Sequence, residues 1–201
     1  MKQRLLLITD GWDADTARRV EAALAALPAG LAAVQLRAKA LSGRALHDAA
    51  LVLRTITAAH GAPLLVNDRI DVARAAGADG AHLPANGLPT KAARRAAAGD
   101  GFLLGASTHS LDELRMAGAV DYVVFGPVFA AAGKGPPVGI AALGEAVRAA
   151  RVPVFALGGV DAVRAAECVR AGARVACIGA VLGAADPAAG ARAMAAALER
   201  A

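Results

Sequence analysis

Short apolar runs recur along the chain, each followed by a longer stretch rich in Ala, Arg and Leu. The runs lie at 4–9, 32–36, 63–67, 80–83, 102–105, 121–125, 153–157 and 174–178. They carry apolar residues at successive positions rather than alternate ones, which predicts parallel strands buried on both faces. The intervening stretches predict helices, most clearly over 14–27, 43–60 and 140–150. Three joints share one pattern: Ala76-Gly77-Ala78, Ala117-Gly118-Ala119 and Ala171-Gly172-Ala173. Glycine there predicts a left-handed residue that closes a helix before the next strand. No Pro/Ser-rich linker interrupts the series, so 1–201 reads as a single domain. An α/β fold with eight such units in 201 residues fits a (β/α)8 TIM barrel near its lower size limit. The alternative is a doubly wound open sheet. The first strand runs into Thr9-Asp10-Gly11-Trp12, which is no glycine fingerprint for a dinucleotide.

In a barrel the active site lies at the C-terminal ends of the strands, so polar residues there come first. After the second strand, Gln35, Arg37 and Lys39 alternate and project to one side. An amide, a guanidinium and an ammonium at one strand end form a site for a polyanion. The competing view is that Arg37 and Lys39 are solvated where strand becomes loop. The third strand ends Asn67-Asp68-Arg69. Asp68 is a candidate Mg²⁺ ligand, since Mg²⁺ takes carboxylate and phosphate oxygens. It is equally a candidate N-cap for a helix starting near Ile70. The fourth strand ends His82-Leu83-Pro84, where a buried, satisfied histidine competes with a proton carrier. The fifth runs into Ser107-Thr108-His109-Ser110. There Ser107 is a candidate ligand contact, and Ser110 with Glu113 matches a capping box. The loop 130–137 after the sixth strand carries Lys134 and is long enough to act as a lid. Gly158-Gly159 and Ile178-Gly179 end the seventh and eighth strands. Bare backbone N–H groups at those two places form a common phosphate site on this fold.

Charge narrows the ligand class. The chain has a net charge of +5 and only six aromatic residues. An anionic small molecule suits it better than a nucleic acid, which needs stacking platforms and longer basic runs than Arg18-Arg19 or Arg94-Arg95. Lysine is scarce: only Lys2, Lys39, Lys91 and Lys134, against 18 arginines. That points to a need for a compact ammonium at Lys39 and Lys134. Cys168 and Cys177 form no CxxC pair and read as buried thiols of a cytoplasmic protein. The run Leu5-Leu6-Leu7-Ile8 is too short for a signal peptide, and no run is long enough for a membrane helix. A homo-oligomer is left open.

Taken in order, several motifs resemble one family. They are Val34-Gln35-Leu36-Arg37-Ala38-Lys39, Val66-Asn67-Asp68-Arg69-Ile70-Asp71-Val72-Ala73 and Gly77-Ala78-Asp79-Gly80-Ala81-His82-Leu83. Ser107-Thr108-His109-Ser110, Asp121-Tyr122 with Gly126-Pro127-Val128-Phe129, and Leu157-Gly158-Gly159 follow. This series resembles the thiamine phosphate synthases and their relatives, the thiazole tautomerases of the TenI type. The resemblance implies an enzyme that joins hydroxymethylpyrimidine diphosphate to a thiazole phosphate and releases pyrophosphate. It implies Gln35, Arg37, Lys39, Asn67 and Lys134 on the pyrophosphate and Asp68 on Mg²⁺. It also implies Ser107 near the pyrimidine, with Gly159, Ile178 and Gly179 at the thiazole phosphate.

The chain departs from the synthase pattern in three places. Neutral Asn86 stands nearest to where those enzymes carry a second acidic Mg²⁺ ligand. Two threonines before the lysine are replaced within Ala130-Ala131-Ala132-Gly133, and Gly179 stands where serine is common. His82-Leu83-Pro84 is similar to the tautomerases, while Pro127 matches the synthases. Synthase is therefore the first expectation. A metal-free tautomerase acting on a thiazole carboxylate phosphate, or a non-catalytic phosphate-ligand binder, is the alternative.

Overall fold

Parallel strands with apolar side chains on both faces must be covered on both sides, and here the sheet achieves that by closing on itself. The computed structural model describes residues 1–97, 99 and 101–200. Its strands are β1 (Leu5–Ile8), β2 (Ala32–Leu36), β3 (Leu64–Asn67), β4 (Gly80–Leu83), β5 (Leu103–Thr108), β6 (Tyr122–Phe125), β7 (Val154–Ala156) and β8 (Arg174–Cys177). They pair in sequence order into a closed barrel, with Leu5 of β1 opposite Val175 of β8 at the seam. The helices are α1 (Ala14–Ala25), α2 (Gly43–Ala59), α3 (Ile70–Ala75), α4 (Thr90–Ala96), α5 (Leu111–Met116), α6 (Gly139–Ala149), α7 (Ala162–Arg170) and α8 (Pro187–Arg200), one after each strand. The expected TIM barrel is what forms.

Alternation along each strand divides the apolar residues into two layers. Leu6, Ile8, Ala33, Leu65, Tyr122, Val124, Phe155 and Ala176 fill the barrel interior. Leu5, Leu7, Val34, Leu36, Leu64 and Val66 face outward onto the helices, within the larger cluster. Truncating one of these buried leucines to alanine would cost about 2–5 kcal/mol. Two carboxylates clasp successive units below the barrel. Asp79 accepts from Arg54 Nη1 and from the Leu64 N–H, each at 2.8 Å. Asp121 accepts from Arg94 Nη2 at 2.6 Å and from the Leu104 N–H at 2.7 Å. These tie the N-terminal ends of the strands and leave the C-terminal ends open.

Three local expectations are corrected. β5 runs on to Thr108, past the predicted 102–105, because Ser107 and Thr108 keep their pairing with Val124 and Phe125. Gly77 and Gly172 are left-handed as expected, but at the third joint the left-handed residue is Ala119 (φ 63°), one past Gly118. Asp68 does not cap α3: the capping residue is Arg69, and no side-chain cap bond forms there. Asp68 itself takes a left-handed turn (φ 68°) that lets its N–H donate to His82 O at 2.8 Å, so the chain has already swung away from capping geometry. Ser110 does cap α5, accepting from the Glu113 N–H. Glu113 returns its hydrogen bond to the His109 N–H, at 2.7 Å, rather than to Ser110.

Candidate active site

β2 stops at Leu36, so Gln35 is its last inward residue, and Arg37 and Lys39 extend from the loop beyond. Thr9 pins that loop. Its hydroxyl accepts from the Arg37 N–H at 2.9 Å and donates to Arg37 O at 3.2 Å. The Arg37 guanidinium turns to Asp10 at 2.9 Å. Asp10 is exposed, so the pair is worth at most about 1 kcal/mol and an incoming anion can displace it. At the end of β3, Asn67 Oδ1 accepts from Gln35 Nε2 at 3.1 Å. Gln35 Oε1 is buried and has no hydrogen-bond partner among the described residues.

His82, at 2% exposure, forms part of the cavity floor. Its Nδ1 lies 3.0 Å from Tyr122 Oη and its Nε2 lies 2.9 Å from Ser107 Oγ. Burial pulls the imidazole pKa down to about 3 and pushes the Tyr122 phenol well above its usual value, so both are neutral near pH 7. The contact is possible because of Gly105. His82 pairs with Gly105 across β4–β5, and Gly105 pairs with Tyr122 across β5–β6. A Cβ on Gly105 would fall 2.0 Å from Tyr122 Cζ. The missing side chain is the space that the phenol ring fills to reach His82.

The β7 and β8 ends are built from backbone. Gly158 (φ 99°) and Gly159 (φ 63°) lie in the left-handed region that favours glycine. They also press against the neighbouring β6 loop: a Cβ on Gly158 would lie 2.6 Å from Pro127 Cα, and one on Gly159 would lie 2.5 Å from Ala130 O. Around Gly179 there is nothing within 4 Å of such a Cβ. Arg164 donates to Gly159 O at 2.8 Å and lies over the Phe129 ring, which holds this turn from behind.

These ends surround one cavity of about 920 Å³ at the C-terminal mouth of the barrel. Gln35, Arg37, Lys39, Asn67, Ser107, Lys134, Gly158, Gly159, Ile178 and Gly179 all line it, as do Asn86 and Pro127. Asp68 does not: it is exposed on the loop after β3. The loop with Lys134 is fastened at its neck by Val138 N–H to Pro127 O, at 2.8 Å, and by Gly139 N–H to Val128 O, at 3.1 Å. Asp10, which in the sequence only ended an apolar run, lines the cavity too, and so does His82, whose ring partners the sequence did not reveal. A glycine inside β5 was the available hint, since interior strand glycines mark close approach. Cys177 also lines the cavity, but burial raises its thiol to about 12 and leaves it un-ionised. Cys168 is buried and unpaired as well.

A closed (β/α)8 barrel, with cations at one side of its mouth and bare backbone at the other, defines the class as a TIM barrel with a polar cavity at the C-terminal ends of its strands. The family model described as thiamine monophosphate synthase matches residues 5–181. A thiamine-phosphate synthase of Methanoculleus marisnigri is 44% identical over 94% of this chain and 92% of its own. A putative thiamine-phosphate synthase of Geobacter sulfurreducens is 42% identical over the same shares. Among solved structures, a thiamine phosphate pyrophosphorylase from Pyrococcus furiosus superposes with a TM-score of 0.87 at 30% identity, covering 99% of this chain and 96% of that one. The chain belongs to the thiamine monophosphate synthase family.

Proposed function

We propose that the protein is a thiamine-phosphate synthase that joins hydroxymethylpyrimidine diphosphate to a thiazole phosphate. The observation that carries this reading is convergence: every site residue expected from the sequence, Asp68 apart, lines one cavity. In the reaction, the bond from the pyrimidine methylene to the diphosphate oxygen breaks. The thiazole nitrogen supplies the electron pair for the new C–N bond, and pyrophosphate leaves with the electrons of the old one. Positive charge develops on the methylene and negative charge on the leaving group. Arg37, Lys39 and Lys134, which line the cavity, would stabilise the departing pyrophosphate. The glycine turns at Gly158-Gly159 and Ile178-Gly179 hold the thiazole phosphate.

Gln35 spends one of its two amide N–H groups on Asn67, which leaves the second for a ligand oxygen, while its Oε1 is buried without a partner.

Mg²⁺ fits the residues present in a minimal way. No cluster of three or more His, Cys, Asp or Glu side chains suitable for a metal occurs among the described residues. Mg²⁺ nevertheless keeps several waters and needs only one or two carboxylates beside substrate phosphates. Asp68, exposed on the loop after β3, would supply its carboxylate to the ion, and Asn86 in the cavity lining a neutral amide oxygen. Bound there, it would neutralise charge on the leaving group.

Among the described residues, no helix is long and apolar enough to cross a membrane. Two buried, unpaired thiols fit a cytoplasmic enzyme. Pro127, which matches the synthases rather than the tautomerases, lines the same cavity and favours the synthase reading.

The deciding experiment is incubation of the purified protein with both substrates, with Mg²⁺ or with chelator. Thiamine phosphate and pyrophosphate should appear in equal amounts, and chelator should suppress both. No thiamine phosphate, with clean tautomerisation of the thiazole carboxylate phosphate, would overturn the synthase reading.

A further inference from the structure

Tyr122 takes no part in lining the cavity, yet it is fully buried, polar, and joined to a lining residue through His82. A phenol at such a place needs a hydrogen-bond partner, because an unmet buried O–H is costly. His82 Nδ1 is the partner the structure records for it. The phenol therefore donates, and Nδ1 accepts. A neutral imidazole carries one N–H, so that proton resides on Nε2 and is donated to Ser107 Oγ. The Ser107 oxygen receives one hydrogen bond from behind, and its own proton points toward the cavity.

We propose that Tyr122 and His82 are positioning residues that fix the polarity of the Ser107 hydroxyl, making it an O–H donor to the bound ligand. This rests on the synthase reading for the identity of that ligand, a pyrimidine whose ring nitrogens offer lone pairs. Without the relay, the Ser107 hydroxyl can turn its proton back onto His82 and present a lone pair to another lone pair. The relay exists only because Gly105 leaves its inward place empty. A glycine in the middle of a six-residue strand thus has a chemical purpose as well as a steric one.

The imidazole itself can be read directly. In protein with ¹⁵N-labelled histidine rings, a long-range ¹H–¹⁵N spectrum reports the tautomer of each ring. His82 should show a protonated Nε2 and a bare Nδ1, unchanged from pH 5 to pH 8. Tyr122→Phe keeps the ring volume and removes only the donor, and it should admit the other tautomer. A parent His82 with its proton on Nδ1, or one that titrates near pH 6.5, would overturn the relay whether or not the protein makes thiamine phosphate.

Kinetics test the consequence. Tyr122→Phe should raise KM for hydroxymethylpyrimidine diphosphate roughly tenfold, the worth of one hydrogen bond, and leave KM for the thiazole phosphate unchanged. Combined with Ser107→Ala, it should add nothing further, because its effect passes through that hydroxyl. Full additivity in the double variant, or equal effects on both substrates, would show that Tyr122 merely supports the fold. A parent that shows the expected tautomer but forms no thiamine phosphate would refute the synthase reading and leave the relay standing.

Discussion

The two sides of the cavity mouth are built by different means. On the β2 and β6 side the charge sits on long side chains: Arg37 half-buried, Lys39 and Lys134 exposed. On the β7 and β8 side the lining is backbone, placed by Gly158 and Gly159 at conformations and distances that exclude a side chain. A flexible stem can follow a leaving group as its charge grows, but pays entropy to do so and is screened by salt. A backbone turn is pre-organised and cannot follow. The first arrangement suits a group that departs during the reaction, the second a group that is only held.

The harshest way to break the contrast is Gly158→Ala. It combines a disfavoured φ with a Cβ 2.6 Å from Pro127 Cα, and should cost about 2–4 kcal/mol of stability. Thermal unfolding should show it, and calorimetry should show thiazole phosphate affinity falling with it. Gly179→Ala is the control: with nothing within 4 Å, it should leave the melting temperature unchanged.

Next in size is Arg37→Ala. A charged hydrogen bond is worth about 1.5–3 kcal/mol, so KM for the pyrimidine diphosphate should rise roughly ten- to a hundredfold. Stability should change by less than about 1 kcal/mol, because its partner Asp10 is exposed. Equal weakening of both substrates in initial-rate measurements would erase the division between the sides.

Ionic strength sharpens the same comparison without mutation. Raising salt from about 0.1 to 1 M shortens the screening length from about 10 to 3 Å. KM for the pyrimidine diphosphate should rise a few-fold more than KM for the thiazole phosphate. Identical salt slopes would mean that exposed Lys39 and Lys134 do not bear on the anion.

The smallest expected effect is Asn86→Asp. A carboxylate binds a hard dication better than an amide does, so half-saturating Mg²⁺ should fall by about a few-fold. Titration of the rate against Mg²⁺ checks it, and an unchanged requirement would remove Asn86 from the metal.

The chain determined its barrel locally. Eight doubly apolar runs, each with a helix behind it, call for a parallel sheet covered on both faces, and that information lies within windows of a few residues. The same locality revealed the strand-end cations and glycines, since strand ends are where a barrel places its site. Local reading failed where a choice depended on a neighbouring unit. Asp68 was as good a cap as a ligand until the His82 carbonyl, on the next strand, took its N–H. Ala119 replaced Gly118 as the left-handed residue, and Arg94 from α4 donates to its carbonyl at 3.1 Å. The orphaned Gln35 oxygen depends on Asn67, 32 residues away, and the His82–Tyr122 contact joins residues 40 apart through the space above Gly105. Such pairings are set by strand register and barrel closure, which bring together residues that no sequence window contains. Tertiary structure therefore decided what surrounds each site residue: which buried oxygen lacks a partner, and which hydroxyl faces which ring nitrogen.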